Sequence, residues 1–231
     1  MSSRAAKNRA GKKTKQPYVG LLIFLAVVIG VFAAGGAGLW ALGNEWLKDL
    51  PDYADADSYN TAQKTTVLAS DESTVLAEFY VENREPVSWD EVSQFVKDGT
   101  VATEDERFYE HGGFDLWGIM RSVVVNLMGG QEGASTITQQ FVRNTILLDE
   151  MNDISFKRKV REIYIAVKLE EQYTKDEILL MYLNAINYGN GAYGIQAASQ
   201  TYFSKNASDL TLVEAATLVG IPQSPTANNP I

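Results

Sequence analysis

From Gln16 to Asn44 the chain carries no charged residue. The core of that stretch, Tyr18 to Leu42, is 25 residues long, and a bilayer's hydrocarbon needs roughly 20 helical residues. Residues 17–43 therefore read as one transmembrane helix. Tyr18 and Trp40 stand at its two ends, where amphipathic rings favour the membrane interface. Gly35, Gly36 and Gly38 would weaken a helix in water but are common in spans. The alternative is a cleaved signal peptide with an Ala-x-Ala-like site around Ala33–Ala37. Signal h-regions are only about 7–15 residues, shorter than this run.

Charge is divided sharply about the span. Residues 1–16 hold Arg4, Lys7, Arg9, Lys12, Lys13 and Lys15 and no acid, a local charge of +6, whereas the rest of the chain sums to −15. The positive-inside rule puts the basic tail, 1–16, in the cytoplasm and everything after the span outside. The expected location is thus the cell membrane, single-pass, with an extracytoplasmic domain. ATP is scarce there, so any synthetic chemistry must draw on a substrate that is already activated. The net charge of −9 argues against a nucleic-acid partner. With no cysteine, thiol nucleophiles, disulfides and cysteine metal sites are excluded. The single histidine, His111, excludes a His-rich metal site.

Residues 44–85 read as a linker and a β-hairpin. Thr65–Ala69 and Thr74–Val81 alternate and are rich in Val, Thr, Phe and Tyr, with Asp71-Glu72-Ser73 between them. After Pro86 the pattern turns helical. Thr174-Lys-Asp-Glu177 and Thr211-Leu-Val-Glu214 are capping boxes, and the second helix stops at Gly220 before Pro222. Asp115 is placed to cap a helix running to Met128, ended by Gly129-Gly130. Thr136-Ile-Thr-Gln139 fits the Gln form of the box. The fold class is mainly α, with a small β element near its start.

Three stretches carry chemistry. The run from Glu104 to Gly113 concentrates acids beside Phe108, Tyr109 and the only histidine. Aromatic walls that exclude water suit a carboxylate to general acid or base work. A solvated helix start, capped by Thr103 and Glu106, explains the same composition. From Gly129 to Gln140 a Gly-rich loop runs into a helix start, a natural anion site, with Arg143 a turn further on. No Gly-Lys-Ser/Thr follows, so it is not a P-loop; an ordinary loop before a capped helix accounts for it equally. Lys157-Arg158-Lys159-Val160-Arg161-Glu162 places four cations around one carboxylate at the start of a helix with two apolar stripes. Such a cluster suits a polyanion such as pyrophosphate. A solvated basic face with Arg158 and Glu162 as an i,i+4 pair remains open.

Taken together, the runs EDERFYEHGG, GASTITQQ, RKVRE and KDEILLMYLNAINYGNGAYG resemble four ordered motifs of the peptidoglycan glycosyltransferase module of class A penicillin-binding proteins and monofunctional transglycosylases. The stretch TYFSKNASDLTLVEAATLVGIPQSPTANNP is similar to the segment that follows them. The resemblance covers residues 86–231. It implies a lysozyme-like fold with a smaller membrane-embedded jaw. The implied activity is polymerisation of lipid II into β-1,4 glycan strands, by inverting displacement of undecaprenyl pyrophosphate. Glu104 matches the family's catalytic base and Glu162 its second acid. Arg158 and Lys159 match the basic pair, and Ser135, Thr136 and Gln139 the polar loop near the donor phosphate. Arg143 stands where many members have Lys. Asp105, Phe108 and His111 match first-motif positions, and Lys175, Tyr182 and Asn184 the fourth motif, in supporting roles.

No cofactor is required by the resemblance. Some members hold a divalent cation, Mg2+ or Mn2+, at the pyrophosphate, but this sequence offers no dedicated metal cage. The implied partners are lipid II, the growing glycan strand, the membrane and other cell-wall synthesis proteins. The family's fifth motif, an Arg-Arg pair, would come shortly after Pro230, so the C-terminal part of the module is expected beyond Ile231. Two other readings compete: a lysozyme-like hydrolase or lytic transglycosylase, and a non-catalytic membrane-anchored module that binds glycan or divisome partners. The cation cluster favours synthesis over the first, and the intact acids favour catalysis over the second.

Overall fold

The computed structural model describes residues 36, 38, 40–54, 65–79, 82–130 and 133–231. The basic tail and most of the expected span lie outside them. Among the described residues, no helix is long and apolar enough to cross a membrane. The chain divides into two compact units, residues 1–48 and 49–231. In the first, residues 40–46 are helical (α1).

The second unit is mainly helical. Its hairpin pairs β1 (Thr65–Leu68) antiparallel with β2 (Val75–Phe79), with an irregularity at Val67/Leu68. Asp71 builds the turn: its Oδ1 accepts from the N–H groups of Ser73 at 3.0 Å and Thr74 at 2.8 Å. A second small sheet pairs β3 (Asn83–Arg84) in parallel with β4 (Ala192–Tyr193).

Among the described residues seven α-helices follow the hairpin: α2 (Gln94–Glu104), α3 (Leu116–Leu127), α4 (Ile137–Asn144), α5 (Phe156–Gln172), α6 (Lys175–Ala185), α7 (Ile195–Phe203) and α8 (Leu212–Val219). The capping boxes expected at Thr174 and Thr211 both form. α4 packs between α5 and α6, and α2 lies on α8. Their shared core holds Val96, Phe108, Ile137, Ile165, Leu169 and Leu183, all fully buried. Burying a side chain of this size contributes about 1.5–3 kcal/mol, so the α4–α5–α6 layer is the rigid base on which the site is built. Within the expected linker, Leu50 and Tyr53 also pack on this core.

α3 is the exception. Trp117, Met120, Val123 and Leu127 are exposed along it, and Leu127 and Met128 are 82% and 83% exposed. Ile154 and Phe156, at the start of α5, are 98% and 86% exposed.

Candidate active site

Glu104 is the last residue of α2, the opposite of the helix start that a Thr103–Glu106 capping box would make. The next residue fixes it. Asp105 is buried, and its carboxylate accepts from the N–H of Ile137 at 3.1 Å and meets His111 Nε2 at 2.9 and 3.0 Å. Ile137 opens α4, whose first N–H groups lack helical partners. Asp105 therefore joins the end of α2 to the start of α4. The His111 ring stands edge-on to Phe108. Phe108 lies in the core with Lys175 Nζ 4.3 Å above its ring, and Lys175 pairs with Glu170 at 2.7 Å. Phe108, His111 and Lys175 stand behind the cavity wall, as a bracket under Glu104.

Two glutamine side chains divide the next tasks. Glu104 Oε2 accepts from Gln140 Nε2 at 2.7 Å, and Gln140 Oε1 accepts from Tyr182 Oη at 3.4 Å. Burial first, and then the Glu104 charge, push the Tyr182 and Tyr188 phenols up. The aromatic neighbours that feel Glu104 are thus these two tyrosines. Tyr109 instead faces outward and donates to Asp176 at 2.9 Å. Burial, followed by that bond, pushes its phenol up to about 12. Gln139 does not reach back to complete the expected capping box. Its N–H is taken by Thr136 Oγ1 at 3.2 Å, but its amide donates to Gly113 O at 3.1 Å and accepts from Lys159 at 2.8 Å. Thr136 also donates to Gly113 O at 3.0 Å. Gly113 has φ +80°, and a Cβ there would fall 2.6 Å from the backbone N of Val167. Only glycine lets this loop rest on α5.

At the start of α5, Ser155 caps the helix by accepting from Arg158 N–H at 3.2 Å. Arg158 and Lys159 each bond one oxygen of Glu162, whose side chain is 0% exposed. Lys159 also donates to Ser135 Oγ at 2.9 Å. Burial depresses the Lys159 ammonium, Glu162 opposes the shift, and the charges of Arg143 and Arg158 add to it. Arg161 belongs elsewhere: it is buried, pairs with Glu150 at 3.0 Å and donates to Asp49 O at 3.1 Å. Lys157 is exposed. Of the four cations at the start of α5, two converge on Glu162.

A cavity of about 470 Å³ opens on this arrangement. Glu104, Ser135, Thr136, Gln140 and Arg143 line it, as do Arg107 and Asp115. Ser135 and Gln139 carry the contact back to Lys159, so the α5 cluster lies one layer behind. Arg143 is half-buried and makes no hydrogen bond or ion pair among the described residues. Asn184 supports from a distance, accepting from Val87 N–H at 3.1 Å and donating to Val87 O at 2.9 Å. Among the described residues, no three acidic or histidine side chains converge to hold a metal ion.

The sequence reading missed Gln140 and the Arg107–Asp115 pair. Gln140 lies three residues before Arg143, one helical turn along the same face, and that spacing was the available signal. Arg107 Nε donates to Asp115 Oδ2 at 3.1 Å. Burial raises the Asp115 carboxyl, but the Gly118 N–H and Arg107 outweigh it and hold the group below its usual range. The arrangement supplies a carboxylate with one neutral partner, open to a cavity that Arg143 also lines, with a cation cluster one layer behind Ser135.

Comparison with known proteins extends these observations. A family model described as transglycosylase matches residues 72–231. Penicillin-binding protein 1F of Bacillus subtilis (strain 168) is 47% identical over 158 residues, 68% of this chain and 22% of its own length. Penicillin-binding protein 1A of Neisseria flavescens is 44% identical over 184 residues, 79% of this chain and 23% of its own length. Penicillin-binding protein 1A/1B of Bacillus subtilis (strain 168) is 41% identical over 231 residues, 99% of this chain and 24% of its own length. The chain spans about a quarter of the length of these curated relatives. A crystal structure of penicillin-binding protein 1A from Haemophilus influenzae is 23% identical, covers 71% of this chain and 14% of that chain, and has a TM-score of 0.34.

Proposed function

We infer, for a chain that belongs to the transglycosylase family, that the Glu104 cavity is a peptidoglycan glycosyltransferase site that polymerises lipid II at the outer face of the cell membrane. Glu104 takes the proton from the acceptor sugar's 4-OH. That oxygen attacks C1 of the donor sugar from the face opposite the lipid pyrophosphate. The C1–O bond to the pyrophosphate breaks as the new bond forms, so one displacement inverts the α-linkage to a β-1,4 bond. The leaving group departs as an anion and needs charge neutralisation more than a proton. Arg143 on the wall and Arg158 and Lys159 behind Ser135 supply it. Glu162, with both oxygens engaged by cations, organises the cluster. If a divalent cation joins, phosphate oxygens hold it.

The observation that carries this reading is the pairing of a cavity-lining carboxylate, held only by Gln140, with Arg143 on the same wall and unpaired among the described residues. A glycan-cleaving enzyme shares the carboxylate but has no use for a cation cluster. Supporting the membrane assignment, α3 and the start of α5 expose Trp117, Leu127, Met128, Ile154 and Phe156. Twelve residues are too few to span a bilayer, so α3 fits a helix lying in the interface. Incubation with lipid II tests the proposal: polymer supports it, whereas shortening of added glycan, or no change in either, overturns it. A protease added outside spheroplasts should spare a tag at residue 1 and destroy one at residue 231.

A further inference from the structure

Residues 187–193 serve two sides at once. Tyr188 turns into the core, where the charge of Glu104 reaches it. Asn187, Asn190 and Tyr193 turn to a second cavity of about 340 Å³, closed on the other side by Pro225, Thr226 and Asn229. That volume is at the lower end for small-molecule sites, which run about 300–1,000 Å³. In contrast to the first cavity, no charged side chain among the described residues lines it. Its polar groups are amides and hydroxyls, each able to donate and accept.

The walls are fixed in advance. Gly189, Asn190 and Gly191 have φ of +79°, +50° and +72°. A Cβ at Gly189 would fall 2.8 Å from Pro225 O, so this loop and the 225–229 segment touch at backbone distance. Asn229 Nδ2 donates to Asn190 Oδ1 at 2.8 Å across the rim. The β3–β4 pairing and Arg84, 4.6 Å from the centre of the Tyr193 ring, hold the inner wall. Sites organised before binding lose less freedom when a ligand arrives.

The two cavities share one strip of chain. Pro222 and Gln223 line the first; Pro225, Thr226 and Asn229 line the second. The two linings are adjacent in the chain, with Gln223 and Pro225 only two positions apart. We propose that the second cavity is a subsite for an uncharged N-acetylated sugar of the glycan strand, remote from the bond being formed. An acetamido group offers one N–H and one C=O, the complement of a carboxamide side chain, and sugar hydroxyls match Thr226 and Tyr193. The proposal rests on the glycosyltransferase reading for its polymer, but its binding test does not.

The test uses the full chain in detergent and the uncharged β-1,4 tetramer of N-acetylglucosamine, titrated by calorimetry. Wild type should bind, and Asn229→Ala and Thr226→Val should each weaken binding by about fivefold or more, on the order of 1 kcal/mol, with unchanged thermal melting. Arg158→Gln should leave tetramer binding intact. In lipid II assays the two pocket variants should give shorter strands than wild type. Tetramer binding that is absent in wild type, or indifferent to both pocket variants, overturns the proposal. So does binding of a sugar-free stem peptide at this pocket in place of the tetramer. Absence of any polymer, with tetramer binding still lost in the variants, overturns the reaction assignment and leaves the subsite standing.

Discussion

Glu104 and Glu162 are the same residue in two opposed environments. Glu104 ends a helix, lines a cavity and has one neutral partner, Gln140. Glu162 sits inside a helix, is fully buried and has two cationic partners. The first can exchange a proton with something that enters the cavity. The second has no oxygen left to offer and serves to hold Arg158 and Lys159 together. Residue type does not separate these roles; the partners do.

The comparison is broken most directly by exchanging each acid for its amide. Glu104→Gln should lower turnover on lipid II by about 10²–10⁴-fold, the usual loss of a general base, with little change in melting. Glu162→Gln should cost less in turnover but weaken donor binding and lower the melting temperature. Removing one partner of a buried ion pair costs about 3–5 kcal/mol, and an amide that still accepts one hydrogen bond should fall near the low end. A near-normal Glu104→Gln beside an inactive, fully folded Glu162→Gln would reverse the assignment.

The cations come next in size. Replacing both Arg158 and Lys159 by Gln should reduce turnover by about 10²–10³-fold, as for lost electrostatic stabilisers elsewhere, while the helical circular dichroism spectrum stays intact. Lys159→Arg should be milder, because charge matters more than geometry at this position. Unchanged turnover in the double variant would reduce the cluster to a solvated face.

How much of this was legible in the sequence depended on how local the cause was. The capping boxes at Thr174 and Thr211 and the Asp71 turn are set by residues within four positions of one another, and all three were readable. Two stripes on α5 were readable from spacing, but they are unequal: Glu162, Ile165 and Leu169 on one are buried, whereas Val160, Ile163, Tyr164 and Val167 on the other are half-buried. Gln139 misled because its local option, the capping box, lost to Lys159 and Gly113, which arrive from distant parts of the chain. Arg161 was grouped with Arg158 and Lys159 on sequence proximity, yet Glu150 and the carbonyl of Asp49 claim it. The parallel β3–β4 pair joins segments on either side of five α-helices, beyond the reach of any periodicity. The ordered motifs pointed to Glu104 through resemblance; its hold by Gln140 came only from the fold.

Acidity sharpens the contrast between the two regions. Burial depresses the Lys159 ammonium below its ordinary value of 10.5. An anion binds best to the protonated form, so affinity should be full at neutral pH. It should fall as pH rises through a range below 10.5, earlier than an ordinary lysine would dictate. Inhibition of polymerisation by inorganic pyrophosphate, measured from about pH 7 to 10, should weaken over that range in wild type. In Lys159→Arg it should stay flat, since guanidinium keeps its charge. A falling limb that persists in the arginine variant would assign the titration to another group.

The smallest effect separates the charges of α5 from the helix end that carries them. Ser155 accepts the Arg158 N–H and donates to Asp153 Oδ2 at 2.8 Å. Ser155→Ala removes the cap, at a cost of about 1 kcal/mol. For a folded unit the size of residues 49–231, that is a melting shift of about 2–4 °C. Arg158 and Lys159 remain tied to Glu162 one turn further along, so turnover should fall by less than about threefold, the effect of a slightly frayed first turn. If turnover instead drops as far as in the Arg158/Lys159 double variant, with only this small melting shift, then the N–H groups of the first turn of α5 receive the leaving pyrophosphate themselves. The side-chain charges would then be secondary, and Glu162 would matter mainly for setting the helix end in place.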